Sequence, residues 1–189
     1  MTSHHDGNVA FKCAWNDAGY KGKCSTCPNA NPSCAQRWIH ITPQDCWERH
    51  IFEPGRWDFG VGENKHINYA REDKVAIFTA KKPFSDHKSV FGVARIKNIK
   101  KEVQYPAIPP YPAGWVDMIV IDPELSIAIP NFIDISFEEF YQTRWSQGLF
   151  RYLPNDVVKK ILLRVKSEMQ KVERIHELDK LDHLIGLVT

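Results

Sequence analysis

The stretch KVAIFTAKKPFSDHKSVFGVARIKNI, Lys74 to Ile99, carries the strongest β-strand signals of this chain. Two segments within it, KVAIFTA (Lys74–Ala80) and SVFGVARIKNI (Ser89–Ile99), are rich in the β-branched and aromatic residues that favour strands. The polar linker between them, KKPFSDHK, is typical of a hairpin connection. The sequence therefore predicts two strands that lie next to each other and run in opposite directions.

The sequence after Ile99 extends this sheet and adds helices. The proline-rich loop YPAIPPYPAG precedes WVDMIVID (Trp115–Asp122), which predicts a third strand. Further on, ISFEEFYQTRW has Ser136 and Glu139 in capping-box spacing, which predicts a short helix. The segment PNDVVKKILLRVKSEMQKVERIHELDKL predicts one long helix. Its apolar stripe consists of Val157, Val158, Ile161, Leu162, Val165, Met169, Val172, Ile175 and Leu178.

These elements indicate an α+β fold, with a small, mainly antiparallel sheet or barrel flanked by helices. Three parts are expected along the chain: a Cys-rich annex over residues 1–50 that packs on the main domain, the main domain over 51–165, and a C-terminal helical extension over 166–189. The annex is turn-rich, and its tryptophans are assigned to its own core: Trp15, Trp38 and Trp47.

Composition excludes a membrane-spanning protein and gives no global nucleic-acid signal. The 189 residues are 43% hydrophobic and 25% charged, as in globular proteins, and no apolar run reaches the roughly 18 residues of a membrane span. The N-terminal MTSHHDGNVAFK lacks the pattern of a secretory signal, so a cytoplasmic location is expected. Because the net charge is only +2, nucleic-acid binding would depend on a local basic patch.

All five cysteines lie before residue 47, which in a cytoplasmic chain points to metal binding rather than to disulfides. Cys24 and Cys27 form a Cys-x-x-Cys pair, and Cys13 and Cys34 flank it, so four thiolates can close a tetrahedral zinc site. The sequence therefore predicts structural zinc. An iron–sulfur cluster on the same cysteines and unliganded thiols are the alternatives. Cys46 is assigned to packing.

The segment GRWDFGVGENKHINYA, Gly55 to Ala70, contains the most informative tryptophan of the chain. Around Trp57 the apolar residues follow neither the strand period nor the helix period, so an ordinary core position is not indicated. Trp57 is then a candidate ligand-binding residue, and a half-buried lid on a barrel is the structural alternative. Asn64, further along, is either a recognition residue or the cap of a helix that begins at Lys65.

The order of these segments resembles the EVE and YTH domains of the PUA-like superfamily. The resemblance runs from Gly55 to Leu163 and consists of the Trp57 segment, REDKVAIFTAKK, SVFGVARIKNI, the proline-rich loop, GWVDMIVID, a short helix and LFRYLPNDVVKKIL. It implies a PUA-like fold that holds an everted, modified base in an aromatic cage. It also implies the specificity domain of a modification-dependent defence or restriction protein, in which a fused or associated subunit would carry nuclease or NTPase activity.

Under this resemblance, Trp57 corresponds to the first cage wall, and Trp115 corresponds to the second, with Tyr111 as its competitor. Each aromatic contact with a base is worth about 1–3 kcal/mol, enough to offset the unstacking of the base. A methyl group on an exocyclic nitrogen adds about 0.8 kcal/mol of apolar burial, which favours a ligand such as 6-methyladenine. DNA is expected rather than RNA.

The resemblance also assigns residues to the edge of the base. Asn64 falls near the Asn-Lys pair of these domains, and the backbone of Thr79 and Ala80 corresponds to the pocket border. YTH domains have Ser-Thr after their tryptophan, whereas this chain has Asp58 and Phe59. Asp58 would then accept a hydrogen bond from an amino group of the base.

Basic residues near the predicted pocket would contact phosphates, and each such contact makes affinity more salt-sensitive. Each is alternatively a solvated surface charge. The candidates are Lys81, Lys82, Lys88, Arg144 and Arg151. The run RIKNIKKE, Arg95 to Glu102, is either a further basic patch or a lysine-guarded sheet edge.

A binding module is expected rather than an enzyme, because the sequence has no Gly-rich phosphate loop, no His-Glu-x-x-His and no elbow serine. The first alternative is a PUA-like enzyme of the ASCH type that acts on RNA or modified nucleosides. The second is a metal-stabilised scaffold that binds another protein through its annex and its long C-terminal helix.

Overall fold

The computed structural model of the chain describes residues 5–12, 56–60, 66–81, 87–105, 114–130, 132–142, 145 and 150–189. These residues form an α+β fold built on one six-stranded mixed sheet. The strands are β1 Asn8–Lys12, β2 Arg56–Gly60, β3 Val75–Lys81, β4 Lys88–Tyr105, β5 Gly114–Ala128 and β6 Phe150–Leu153.

The sheet order is β2-β5-β4-β3-β1-β6, and only the β1–β3 pair is parallel. The predicted α+β class and the mainly antiparallel sheet are thereby confirmed, as is the adjacency of the two strands in the stretch from Lys74 to Ile99. Among the described strands, β2 and β6 end the order and do not pair with each other, so the sheet is open rather than a closed barrel.

The N-terminal strand β1 lies between β3 and β6, inside the main sheet. The buried side chain of Asn8 fixes it there, since its Oδ1 accepts the Val75 N–H at 3.0 Å and its Nδ2 donates to Asn155 Oδ1 at 2.9 Å. Residues 8–12 therefore belong to the main domain and not to an annex that ends at residue 50. The rest of the predicted annex, residues 13–50, lies outside the described residues.

Two α-helices follow the sheet, α1 Asn155–Lys171 and α2 Leu178–Gly186, with a 3-10 turn Ile175–Glu177 between them. The prediction of one long helix is therefore wrong, and residue 166, where the C-terminal extension was predicted to begin, lies inside α1. Glu173 adopts a φ of +57°, and the Arg174 N–H donates to the Met169 carbonyl, which is the hydrogen bond that closes a Schellman motif. Within the predicted stripe, the residues from Val158 to Met169 are buried, whereas Val172 and Ile175 are exposed.

The short helix predicted after Ser136 is a single 3-10 turn, Phe137–Glu139. Its predicted capping box does not form, because Ser136 makes no side-chain cap. The nearby carboxylate of Glu138 instead accepts the backbone N–H of Lys88 at 3.0 Å. The two residues of the predicted box have other partners: the Ser136 hydroxyl donates to Glu138 Oε2 at 3.4 Å, and Glu139 Oε2 lies 3.6 Å from the Arg164 guanidinium. Within the described residues, no helix combines the length and apolar character that a membrane crossing needs.

Alternate residues of strands β1, β3, β4, β5 and β6 contribute to two cores, on opposite faces of the sheet. On the helix face, Ala10, Val75 and Ile77 pack with α1 and α2. On the other face, here called the aromatic face, Phe11, Phe78 and Phe91 form the centre of the core. The segment His66–Ala70 crosses the aromatic face and buries Ile67 and Ala70 in it, so its other residues are placed at the surface.

Candidate functional site

Strands β2 and β5 bring together the backbone of three predicted base-binding residues. In the antiparallel β2–β5 pair, Trp57 lies opposite Ile119 and Asp58 lies opposite Met118. Trp115 is near the start of β5, four residues from Ile119, which corresponds to about 13 Å along the strand. The predicted cage tryptophans are thus on adjacent, hydrogen-bonded strands at one end of the sheet.

Between these positions on β5 lies Asp117, whose side chain is fully buried. Its Oδ2 accepts the Ile67 N–H at 2.9 Å, and its Oδ1 accepts the Glu102 N–H at 3.1 Å. The same Oδ1 lies 3.2 Å from Nδ1 of His66. Hydrogen bonds of this kind are what a buried carboxylate requires in place of water, so Asp117 fixes both the segment His66–Ala70 and strand β4 at this end of the sheet.

A β-bulge in β4 supplies one of these donors. The β4–β5 register shifts between Lys100 and Val103, and Glu102 adopts a φ of +53°. An extra residue in one strand takes its own N–H out of the regular ladder. At this bulge, the freed N–H of Glu102 donates to Asp117 instead.

His66 lies between two carboxylates. Nδ1 faces the buried Asp117, and Nε2 is 3.5 Å from Oε1 of the exposed Glu102. A carboxylate that orients one imidazole nitrogen and leaves the other toward the surface is an arrangement suited to hydrogen bonding with a ligand or to proton transfer. Sequence reasoning missed His66, Glu102 and Asp117. The available signal was a carboxylate inside the apolar strand WVDMIVID, where a buried charge needs partners.

The segment His66–Ala70 continues from Asp117 toward β6. The Tyr69 N–H donates to the hydroxyl of Tyr152 on β6 at 3.3 Å, and the Arg71 N–H donates to the Gly7 carbonyl at 3.0 Å. Burial raises the pKa of Tyr152, an effect opposed by its hydrogen bonds with the backbone of Tyr69 and Asn68. The raised pKa favours the neutral form of the Tyr152 hydroxyl, which is the form that accepts the Tyr69 N–H here.

Thr79 and Ala80 lie at a different level of the sheet. They pair with Val90 and Ser89, whereas the β4 residue in register with Ile119 is Ile99. Nine residues separate Val90 from Ile99, about 30 Å of extended strand. Thr79 is buried, and its hydroxyl donates to the Phe11 carbonyl at 2.9 Å. Strand register alone therefore does not bring Thr79 and Ala80 to the Trp57 position.

Two basic residues of the predicted phosphate rim, Lys88 and Arg151, have partners within the fold. Lys88 Nζ is 3.7 Å from Glu138 Oε1, and the Arg151 guanidinium lies 5.5 Å from the ring centre of Trp145. Trp145 is itself buried against Phe137. Lys81 ends β3. The other predicted site residues lie outside the described residues: Asn64, Tyr111, Lys82, Arg144, Cys13, Cys24, Cys27 and Cys34.

The lysines of β4 lie closer to the Asp117 end of the sheet. Past Ile96, β4 still pairs with β5, but among the described strands it has no partner on its other side. The exposed lysines along this half-strand are Lys97, Lys100 and Lys101. They fit the predicted lysine-guarded edge, and they also place positive charge beside His66 and Glu102.

In the part of the chain that the structure describes, no group of three or more His, Cys, Asp or Glu side chains could hold a metal ion. The predicted cysteine ligands are outside that part. No protein-family model, curated protein or solved structure matches the chain.

Proposed function

We propose that this chain is a nucleic-acid-binding module of PUA-like type that recognises a methylated base everted from its strand. The main support is the β2–β5 register, which puts Trp57 and Trp115 on paired strands on either side of the Asp117 position. In the proposal, the two indoles hold the base between them, and Tyr111 is the alternative second wall. Stacking on two rings contributes more than the few kcal/mol that eversion costs.

Polar groups at the same end of the sheet would read the edge of the base. Asp58 is adjacent to Trp57, and Asn64 lies two residues before His66. A carboxylate accepts from the N–H that remains on 6-methyladenine, and an amide can both donate and accept. His66, oriented by Asp117, adds a group to those that the sequence predicted.

We assign the phosphate contacts to the part of β4 that follows Ile96. Lys97, Lys100 and Lys101 are exposed along it, whereas Lys88 of the predicted rim is paired with Glu138. A row of lysines at a sheet edge can follow the backbone of a single strand or a distorted duplex, so we expect binding to weaken as salt rises. DNA is the proposed polymer, in a cytoplasmic restriction or defence system whose nuclease or NTPase is a further domain or a partner.

Fluorescence titration tests the proposal with matched oligonucleotides that contain 6-methyladenine, 5-methylcytosine or no modification. We expect one modified oligonucleotide to quench the intrinsic tryptophan fluorescence at the lowest concentration. Trp57→Ala should weaken that interaction by ~10-fold or more, because one of two stacking partners is lost. Trp57→Phe, which keeps an aromatic ring, should retain part of the affinity.

Trp145→Phe is the matched control, because Trp145 is buried against Phe137 in the core of the helix face. It should leave the affinity for the modified oligonucleotide unchanged. Equal affinities for modified and unmodified oligonucleotides in the wild type would exclude a modified-base reader. Unchanged affinity in Trp57→Ala would remove Trp57 from the cage.

The second candidate is an enzyme that acts on RNA or modified nucleosides, and the observation that favours it is the Asp117–His66–Glu102 arrangement. A buried carboxylate that orients a histidine is a common device for general acid–base catalysis. Chromatography of the oligonucleotide after incubation separates the two functions. A reader returns it intact, whereas an enzyme produces a new species that His66→Gln would abolish. The helical part of the scaffold alternative is weakened, because most of the predicted apolar stripe of α1, together with Leu181 and Leu184 of α2, is buried in the protein's own core.

The proposed cofactor is a structural zinc ion held by Cys13, Cys24, Cys27 and Cys34. Elemental analysis of the purified protein should find zinc, and Cys24→Ser should lose it, since a tetrahedral site depends on each of its thiolates. Because metal binding is coupled to folding, the thermal midpoint should also fall. Cys46→Ser, outside the proposed ligand set, should keep the metal. Iron with inorganic sulfide in place of zinc would identify the cluster alternative.

A further inference from the structure

Tyr69 presents an aromatic ring at the surface beside the proposed base site. It is 51% exposed, although it belongs to a segment whose neighbours Ile67 and Ala70 are buried. Its backbone N–H is held by the Tyr152 hydroxyl, and its ring packs edge-on against that of Tyr152 at 5.3 Å. The ring of His5 lies 4.2 Å away. Tyr69 is thus a fixed ring rather than a mobile surface side chain.

The groups beside this ring can bind the other parts of a nucleotide. Asn68 is exposed, and its amide oxygen accepts from Nζ of Lys101 at 2.9 Å. In that contact the partner of the ammonium is a neutral amide, so the bond does not neutralise its charge. A flat aromatic ring, an amide and a cation within one surface segment match the base, base edge and phosphate of an unpaired nucleotide.

The position of Tyr69 relates it to the everted base. Three residues separate it from His66, which the Asp117 carboxylate holds at the proposed site. Three residues of chain span at most about 11 Å, so the two positions are close enough for neighbouring nucleotides of one strand. The lysine edge of β4 runs alongside both positions, as the contacts of Glu102 with His66 and of Lys101 with Asn68 demonstrate.

We propose that Tyr69 is a stacking platform for the unpaired base next to the everted one, with Asn68 and Lys101 contacting that nucleotide. This proposal rests on the proposed function and extends it from one base to a dinucleotide. When the modified base leaves the strand, its neighbour loses a stacking partner, and the Tyr69 ring replaces it. The platform recognises any base, because every base has a π face, so it adds affinity without sequence preference.

The test measures dissociation constants for short single-stranded DNA that contains 6-methyladenine, and for its unmodified counterpart. Tyr69→Ala should weaken binding of both oligonucleotides by ~5-fold or more, which is the smallest effect expected for the loss of one stacking contact. Tyr69→Phe keeps the ring and should bind with the affinity of the wild type. Replacing the nucleotide on one side of the modified base by an abasic residue should raise the dissociation constant of the wild type by a similar factor. The abasic residue should not raise the dissociation constant of Tyr69→Ala any further.

Phe132→Ala is the matched control, since Phe132 is also an exposed aromatic but lies next to Ile133 on the helix face. It should not change any of these constants. Affinity unaffected by an abasic neighbour on either side overturns the platform, even if Tyr69→Ala fails to fold. If the wild type does not prefer the modified base and Tyr69→Ala still weakens binding, the proposed function fails and the platform stands. Absence of binding to every oligonucleotide overturns both.

Discussion

Phe11→Ala is expected to lower the free energy of unfolding by about 3–5 kcal/mol, the range for removal of a fully buried phenylalanine ring. Phe11 is 1% exposed on strand β1, and its ring stacks on Phe78 with centres 5.6 Å apart. Because β1 lies between β3 and β6, the cavity would open in the middle of the sheet. Urea denaturation followed by circular dichroism measures the change.

Phe132→Ala also serves as the control for this prediction, because Phe132 is 71% exposed and its truncation should change stability by no more than ~0.5 kcal/mol. A decrease below about 1 kcal/mol in Phe11→Ala would contradict the placement of β1 in the main core. It would instead favour an N-terminal annex that unfolds separately from the sheet.

Asp117→Ala is expected to destabilise the protein by about 3 kcal/mol. The substitution leaves the N–H groups of Ile67 and Glu102 without their acceptor, and each unsatisfied donor costs about 1–3 kcal/mol. Asp117→Asn should cost less, because its amide oxygen still accepts one of these bonds. The urea midpoint of each variant measures the effect.

The matched control is Asp182→Ala, which removes a surface carboxylate that contacts Lys166. Pairs of this kind contribute at most about 1 kcal/mol. If Asp117→Ala were no more destabilising than the control, Asp117 would not anchor the segment His66–Ala70. The proposed orientation of His66 would then have no physical basis.

The strands that carry local signals were predictable from the sequence. β-Branched and aromatic residues mark β3, β4 and β5, and the polar linker after Lys81 indicates the antiparallel β3–β4 pair. β1 was missed as a sheet strand because NVAFK is short and precedes the Cys-rich region, while its parallel pairing with β3 joins residues more than 60 positions apart. No local pattern encodes such a contact.

The end of α1 was missed for a different physical reason. Glu173 occupies the left-handed C′ position that glycine usually takes, so the apolar stripe continued across the break without a stop signal. Within the site, Trp57 attracts attention from sequence alone because its neighbours break the period. Asp117 does not, because its donors come from the bulge at Glu102 and from Ile67, both distant in sequence.

The proposed aromatic cage can be tested by a crystal structure of the protein with an oligonucleotide that contains 6-methyladenine. We expect the methylated base to be rotated out of its strand and to lie between the indoles of Trp57 and Trp115, with His66 close to its edge. A methylated base that remains stacked in its strand, with neither indole in contact with it, would contradict the proposed base-reading function.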